Sequence, residues 1–131
     1  MFETDCNMFD NEIIEWLFNG DISIQYQVYR DLLKINKPGL KERISTEGWG
    51  KEFLSFRNQN GHWGLKFYQP KWTSTHYTLL DLKNLSISHQ QKEIQLTIRK
   101  VLNENKAPDG GIYPIGSIAK SDICINGMFL N

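Results

Sequence analysis

The chain has 131 residues, 40% hydrophobic and 12% aromatic, and its 15 basic and 15 acidic side chains give a formal net charge of zero. This length indicates one domain with a real core, and the balanced charge argues against nucleic-acid binding, which needs a basic face. Cys6 and Cys124 are too few and too far apart for a disulfide framework. The first residues lack the pattern of a signal peptide, and no apolar run approaches membrane-spanning length. We therefore expect a cytoplasmic protein.

Two helices are predicted in the first third of the chain. Asp10 can cap the first helix, and Gly20 is suited to end it. Asp21 or Ser23 then begins the second helix. Apolar residues at positions i, i+4, i+8 and i+11 give the second helix one apolar face: Ile24, Val28, Leu32 and Ile35. We expect the two helices to form an antiparallel hairpin that ends before Pro38.

Further helices are predicted along the rest of the chain. A third covers Leu40 to Ser45, and a fourth starts near Thr46 or Gly48. A fifth follows Thr73 or Ser74, either of which can cap it. Ser88 and Gln91 have the spacing of a capping box for a sixth, whose apolar face comprises Ile94, Ile98, Val101 and Leu102. No stretch alternates as a strand does, so the predicted fold class is all-α.

The segment from Asn58 to Leu82 is a glycine-rich loop with an unusual density of aromatic residues that leads directly into the amphipathic run of the fifth helix. Gly61 and Gly64 bracket Trp63 and allow the backbone to turn tightly around it. Aromatic side chains this dense must pack against something or line something.

A weak internal repeat has this loop in its first unit. Gly110 follows Gly61 by 49 positions, and Ser121 follows Ser74 by 47. Each unit reads as a helix, a glycine turn, a variable loop, a lysine, a serine and a second helix. A period near 48 residues made of helix pairs predicts a helical-repeat array or a closed helical ring.

The Asn-Gln-Asn-Gly-His-Trp-Gly segment at residues 58–64 resembles the Gln-Trp-type repeat of terpenoid cyclases and protein prenyltransferases. That resemblance implies an α/α toroid, and it extends from Gly48 to the C-terminus as about two repeats. Residues 1–47 look like the entry helices of small bacterial squalene-cyclase-like proteins. We therefore expect residues 1–131 to form a single partial toroid, an incomplete ring that represents the N-terminal portion of a longer family member or a truncated product.

The resemblance also implies which catalytic motifs to look for in this sequence. Cyclases protonate an alkene with an Asp-x-Asp-Asp motif, which is absent here. Prenyltransferases hold zinc with an Asp-x-Cys pair and a distant His, and Asp122 and Cys124 have that spacing, with His76 a conceivable third ligand. The alternative is that Asp122 caps a helix and Cys124 is a small buried hydrophobe. Zinc is the cofactor that this pattern allows.

Aromatic faces can line a cavity for an isoprenoid, where they stabilise carbocations. The candidate ligand-lining residues are Trp63, Phe67, Tyr68, Trp72, His76 and Tyr77. For Trp63 the resemblance favours a structural staple outside the cavity. Two hypotheses follow: an enzyme of the prenyltransferase or cyclase type, and a non-catalytic helical module that binds a partner or an apolar ligand. The apolar final helix, which begins at Ser121, further predicts self-association.

Overall fold

The computed structural model describes residues 10–114 and 120–130. Within them 58% of the residues are helical and no strand is present, so the fold is all-α. Seven α-helices are described: α1 (Asn11–Phe18), α2 (Ile22–Gln27), α3 (Pro38–Arg43), α4 (Gly48–Ser55), α5 (Thr75–Asn84), α6 (Lys92–Glu104) and α7 (Ile123–Leu130). A π-helical turn, Val28–Leu32, continues α2, and a 3-10 turn, Lys71–Thr73, precedes α5. Within the described ranges, no helix combines the length and the apolar character needed to cross a membrane. Cys6 lies outside the described residues.

Aspartates cap the first two helices where the sequence predicts it. An Asp10 carboxylate oxygen accepts a hydrogen bond from the backbone N–H of Glu12 at 2.9 Å. Asp21 accepts the backbone N–H of Ser23 at the same distance. Such caps satisfy backbone donors that have no partner inside the helix.

The Asp21 carboxylate also fixes the start of α4. Its second oxygen accepts the backbone N–H of Trp49 at 2.8 Å, so one side chain caps two helices. Gly48 adopts a φ of +56°, and a Cβ at this position would lie 2.0 Å from the same carboxylate oxygen. Glycine is therefore required here, both for the backbone conformation and for the close approach of Asp21.

Three predicted helix starts are wrong, and one of them is that of the final helix, which begins at Ile123 rather than at Ser121. The third helix begins at Pro38 rather than Leu40, because proline suits the first position of a helix, where its missing N–H leaves no bond unmade. The sixth begins at Lys92, and the Ser88 hydroxyl accepts the N–H of Gln90. Ser88 to Gln91 is thus a turn before the helix and not a capping box.

The described residues bury two apolar clusters. The larger one lies among α2, α4, α5 and α6 and comprises Ile22, Tyr26, Ile44, Trp63, Leu82, Ile87 and Ile94. The smaller one comprises Phe67, Val101, Ile112 and Ile125. The smaller cluster joins the aromatic loop to α6 and α7.

The two glycine turns of the repeat have the same geometry. Gly61 and Gly110 have φ values of +86° and +88°. Each donates its N–H at 2.9 Å to the carbonyl three residues earlier, Asn58 or Ala107. The backbone N–H of Asn58 donates to the carbonyl of His62 at 2.8 Å, and that of Ala107 donates to the carbonyl of Gly111 at 2.7 Å.

In both units the residue that follows the turn is buried and is held by a single side chain of the next helix. Thr75 Oγ1 accepts from Trp63 N at 2.9 Å and lies 3.2 Å from Trp63 O. Asn126 accepts from Ile112 N at 2.8 Å and donates to Ile112 O at 2.7 Å. The units therefore attach their second helix in the same way, while the arrangement of such units into a ring remains a prediction.

The final helix is only partly covered. Ile125 is buried, and Met128 and Phe129 are half-buried against the smaller cluster, so the predicted self-association would have to use the other apolar side chains of α7. Ile123 and Leu130 are 91% and 74% exposed. Cys124 is also exposed, which corrects its interpretation as a small buried hydrophobe.

Candidate functional site

The start of α5 is fixed by its contacts with the aromatic loop, and this places His76 in the interior. Ser74 is the N-cap residue, although its hydroxyl donates to Lys71 O at 2.7 Å instead of capping. The backbone N–H of His76 donates to Phe67 O at 2.8 Å. The side chain of His76 is only 2% exposed as a result.

Aromatic rings surround the imidazole of His76. The ring centroids of Phe67 and Tyr68 each lie 5.5 Å away, and that of Tyr77 lies 5.0 Å away. Phe67 and Tyr77 approach nearly at right angles, which brings a polarised ring edge to an aromatic face. The loop and the first turn of α5 thus build a close-packed aromatic enclosure on part of the imidazole.

Neither ring nitrogen of His76 has a hydrogen-bond partner within the described part of the chain. A buried polar group left in this way costs about 1–3 kcal/mol of stability. Burial lowers the pKa of His76 below its usual 6.5, because a cation is poorly solvated in such surroundings. At neutral pH the side chain is therefore a neutral imidazole that offers one donor and one acceptor.

An apolar pocket of about 240 Å³ opens beside this imidazole, between α5, α6 and α7. Its lining residues are His76, Leu79, Leu80, Lys83, Ile87, His89, Ile94, Ile98, Met128 and Phe129. Lys83 and His89 are exposed, and the remaining lining residues are buried or half-buried. The pocket is thus an apolar chamber with one buried polar wall and a polar mouth.

The six candidate lining residues have different surroundings. Only His76 is among those that line the apolar pocket. Trp63 is 2% exposed and donates from Nε1 to Phe53 O at 2.6 Å, as expected for a structural staple. Phe67 is 1% exposed and packs on Phe129 with ring centroids 5.5 Å apart. It belongs to the smaller core cluster.

The other three aromatic candidates form a cluster of tilted rings that does not line the apolar pocket. Trp72 is 71% exposed and lies 4.9 Å from Tyr77 between ring centroids. The hydroxyl groups of Tyr68 and Tyr77 are 3.4 Å apart. This hydrogen bond and burial raise the pKa of Tyr68 to about 12, so its phenol is neutral at physiological pH.

A second, polar cavity of about 430 Å³ is lined by His62 and Glu104, and the His62 imidazole links this carboxylate to the buried hydroxyl of Thr75. His62 Nδ1 lies 2.9 Å from Thr75 Oγ1, and His62 Nε2 lies 3.0 Å from Glu104 Oε2. Lys100 hydrogen-bonds Glu104 and, together with His62, lowers the pKa of its carboxyl group. The order resembles that of a hydrolase triad, but Thr75 is fully buried and its oxygen already accepts from Trp63 N. The arrangement therefore holds the Gly61 turn between α5 and α6.

Asp122 and Cys124 do not assemble a zinc site with the other described residues. The Asp122 carboxylate accepts the backbone N–H of Ile125 at 2.9 Å, which is a cap at the start of α7. Zinc in proteins has at least three protein ligands. Within residues 10–114 and 120–130, no three His, Cys, Asp or Glu side chains converge on a point that could hold a metal ion.

Most of the pocket lining was not anticipated from the sequence. The apolar face of α6 was predicted from its residue spacing, and nothing local shows that Met128 and Phe129 of α7 leave a gap against it. Of the three polar lining residues, His76, Lys83 and His89, only His76 was predicted from the sequence to contact a ligand.

Comparisons with known protein families, with characterised proteins and with solved structures give no match to this chain.

Proposed function

We propose that this chain is a non-catalytic helical module that binds a small apolar molecule between α5, α6 and α7. The observation that supports this most strongly is the buried, unpartnered imidazole of His76 beside the apolar pocket. Pockets for small molecules combine an apolar lining with a few polar groups that orient the ligand. A hydroxyl or carbonyl group on the ligand would recover the hydrogen bonds that His76 lacks.

The pocket volume limits the size of the ligand. An engineered cavity of about 150 Å³ admits benzene, so about 240 Å³ suits a molecule of about ten heavy atoms. A short isoprenoid alcohol meets this limit, and so does a medium-length alkyl chain. Larger isoprenoids would require the pocket to open.

An enzyme of the terpenoid-cyclase or prenyltransferase type is the other hypothesis. It is supported by the resemblance of residues 58–64 and by the geometry that the Gly61 and Gly110 turns share. No acidic side chain is among the described residues that line the pocket, so alkene protonation has no acid there. Binding without catalysis is therefore the function we propose.

Self-association through α7 and a cytoplasmic location complete the proposal. The exposed side chains of Ile123 and Leu130, at the two ends of α7, support self-association, because exposed apolar surface can mark an interaction site.

Calorimetric titration with 1-octanol tests the binding proposal. We expect saturable binding at one site, and we expect Leu80→Phe to abolish it by filling the pocket from α5. Leu65→Phe is the matched control, because Leu65 is 69% exposed and does not line the pocket. Equal binding by Leu80→Phe and by the unmodified chain would contradict the proposal.

A further inference from the structure

The two polar features of the apolar pocket lie at opposite ends of one helix face. His76 and Lys83 are seven positions apart on α5, and both line the pocket. At a rise of 1.5 Å per residue, their Cα atoms are separated by about 10 Å along the helix axis. Leu79 and Leu80 line the wall between them. A linear ligand lying along α5 would therefore meet a neutral imidazole at one end and a cation at the other.

The mouth of the pocket is cationic. Lys83 has no salt bridge among the described residues, and no carboxylate is among the residues that line the pocket. Asp81 is two positions away on α5, and side chains at this spacing do not share a helix face. His89, also exposed at the mouth, adds a second hydrogen-bonding group. An anionic group placed there gains an attraction that nothing in the lining opposes.

We infer that the pocket selects a linear carboxylate of about eight carbon atoms with a hydroxyl or carbonyl group at its far end. This inference rests on the proposed function. The carboxylate binds Lys83 at the mouth, and the far polar group binds the buried imidazole of His76. The alkyl chain between them packs against Leu79, Leu80 and the isoleucines of α6. The separation between His76 and Lys83 determines the length of the ligand's alkyl chain. The single lysine favours a ligand with a single negative charge.

Three probes of equal chain length separate the contributions. They are 8-hydroxyoctanoate with both polar ends, octanoate with the anion alone and 1-octanol with the hydroxyl alone. In calorimetric titrations at pH 7.5 and low salt, we expect 8-hydroxyoctanoate to bind about three- to fivefold more tightly than 1-octanol, as for an exposed ion pair. We expect a gain of about threefold or more over octanoate from the hydrogen bond to His76. Higher salt should reduce the first difference and leave the second.

Two variants assign these differences to residues. Lys83→Met should bring 8-hydroxyoctanoate to the affinity of 1-octanol, while Lys51→Met, at an exposed position on α4, should change nothing. His76→Phe should remove the difference between 8-hydroxyoctanoate and octanoate. If all three probes bind equally, or if Lys83→Met leaves the affinity for 8-hydroxyoctanoate unchanged, this inference is wrong while the proposed function stands. If no probe binds saturably, both are wrong.

Discussion

His76 is a residue whose position opposes stability. It is 2% exposed, its ring nitrogens are unpartnered among the described residues, and burial lowers its pKa. Filling the same space with an apolar side chain would be neutral or stabilising, because it would remove an unsatisfied polar atom. Residues that break a local rule in this way are typical of functional sites.

Replacing His76 by Phe should remove a pH dependence. The folded pKa is lowered from 6.5, so below pH 6.5 the unfolded chain binds a proton that the folded chain does not. The free energy of unfolding should then fall between pH 7.5 and 5.5, by at most about 1.4 kcal/mol per pH unit. His76→Phe should lose this component and be at least as stable at pH 7.5.

Urea denaturation at the two pH values measures the effect. His89→Phe is the matched control, because His89 is exposed and its replacement should leave the pH dependence in place. A His76→Phe variant with the same loss between pH 7.5 and 5.5 as the unmodified chain would show that His76 is not the group that titrates.

At the level of elements, helix starts with a local cause were predictable. Asp10 and Asp21 cap α1 and α2 as their side chains predict, because a cap involves residues close in sequence. The π-helical turn Val28–Leu32 was not predictable, since its residues carry the same apolar spacing as an α-helix. The start of α6 at Lys92 was also missed, because the Ser88 hydroxyl satisfies a turn instead of a helix.

The attachment of the second helix to each glycine turn should depend on one side chain. Thr75→Val removes the hydroxyl that binds both backbone groups of Trp63, and Asn126→Leu removes the amide that binds those of Ile112. Thr75→Val leaves both of these Trp63 groups, and Nδ1 of His62, without a partner. Asn126→Leu leaves the N–H of Ile112 without one, while its carbonyl still accepts from the N–H of Asp122. We therefore expect each substitution to cost about 1–3 kcal/mol of unfolding free energy.

Hydrogen exchange and denaturation together check this expectation. The amide of Trp63 should lose protection in Thr75→Val, and that of Ile112 in Asn126→Leu. Thr73→Val at an exposed position is the control and should be near neutral. A loss below about 0.5 kcal/mol in both variants would mean that the two side chains do not hold the helices to the turns.

At the scale of the whole molecule, the sequence predicted the fold class and one residue of the pocket. The all-α class follows from the spacing of apolar residues along each helix. Which helices face one another depends on contacts between distant residues, such as Phe67 with Phe129. The pocket is the space left where α5, α6 and α7 meet, and such a space has no local pattern. Trp72, by contrast, was predicted to line a cavity and is exposed. A high density of aromatic residues in a loop does not show which way each side chain faces.

The exposed part of α7 should make the chain associate. Ile123 and Leu130 are 91% and 74% exposed on a helix that is anchored through Ile125 to the smaller core cluster. Removing such surface from water yields about 25 cal/mol per Å², which favours contact between copies at high concentration. We expect light scattering to show a mass that rises with protein concentration in the micromolar range.

The double substitution Ile123→Lys and Leu130→Lys should restore the monomer mass without lowering the melting temperature. Leu65→Lys is the control, because it adds a positive charge outside α7 at a residue that is 69% exposed. This variant should still show the rise in mass with concentration. A constant monomer mass in the unmodified chain would show that these side chains are tolerated in water without a partner.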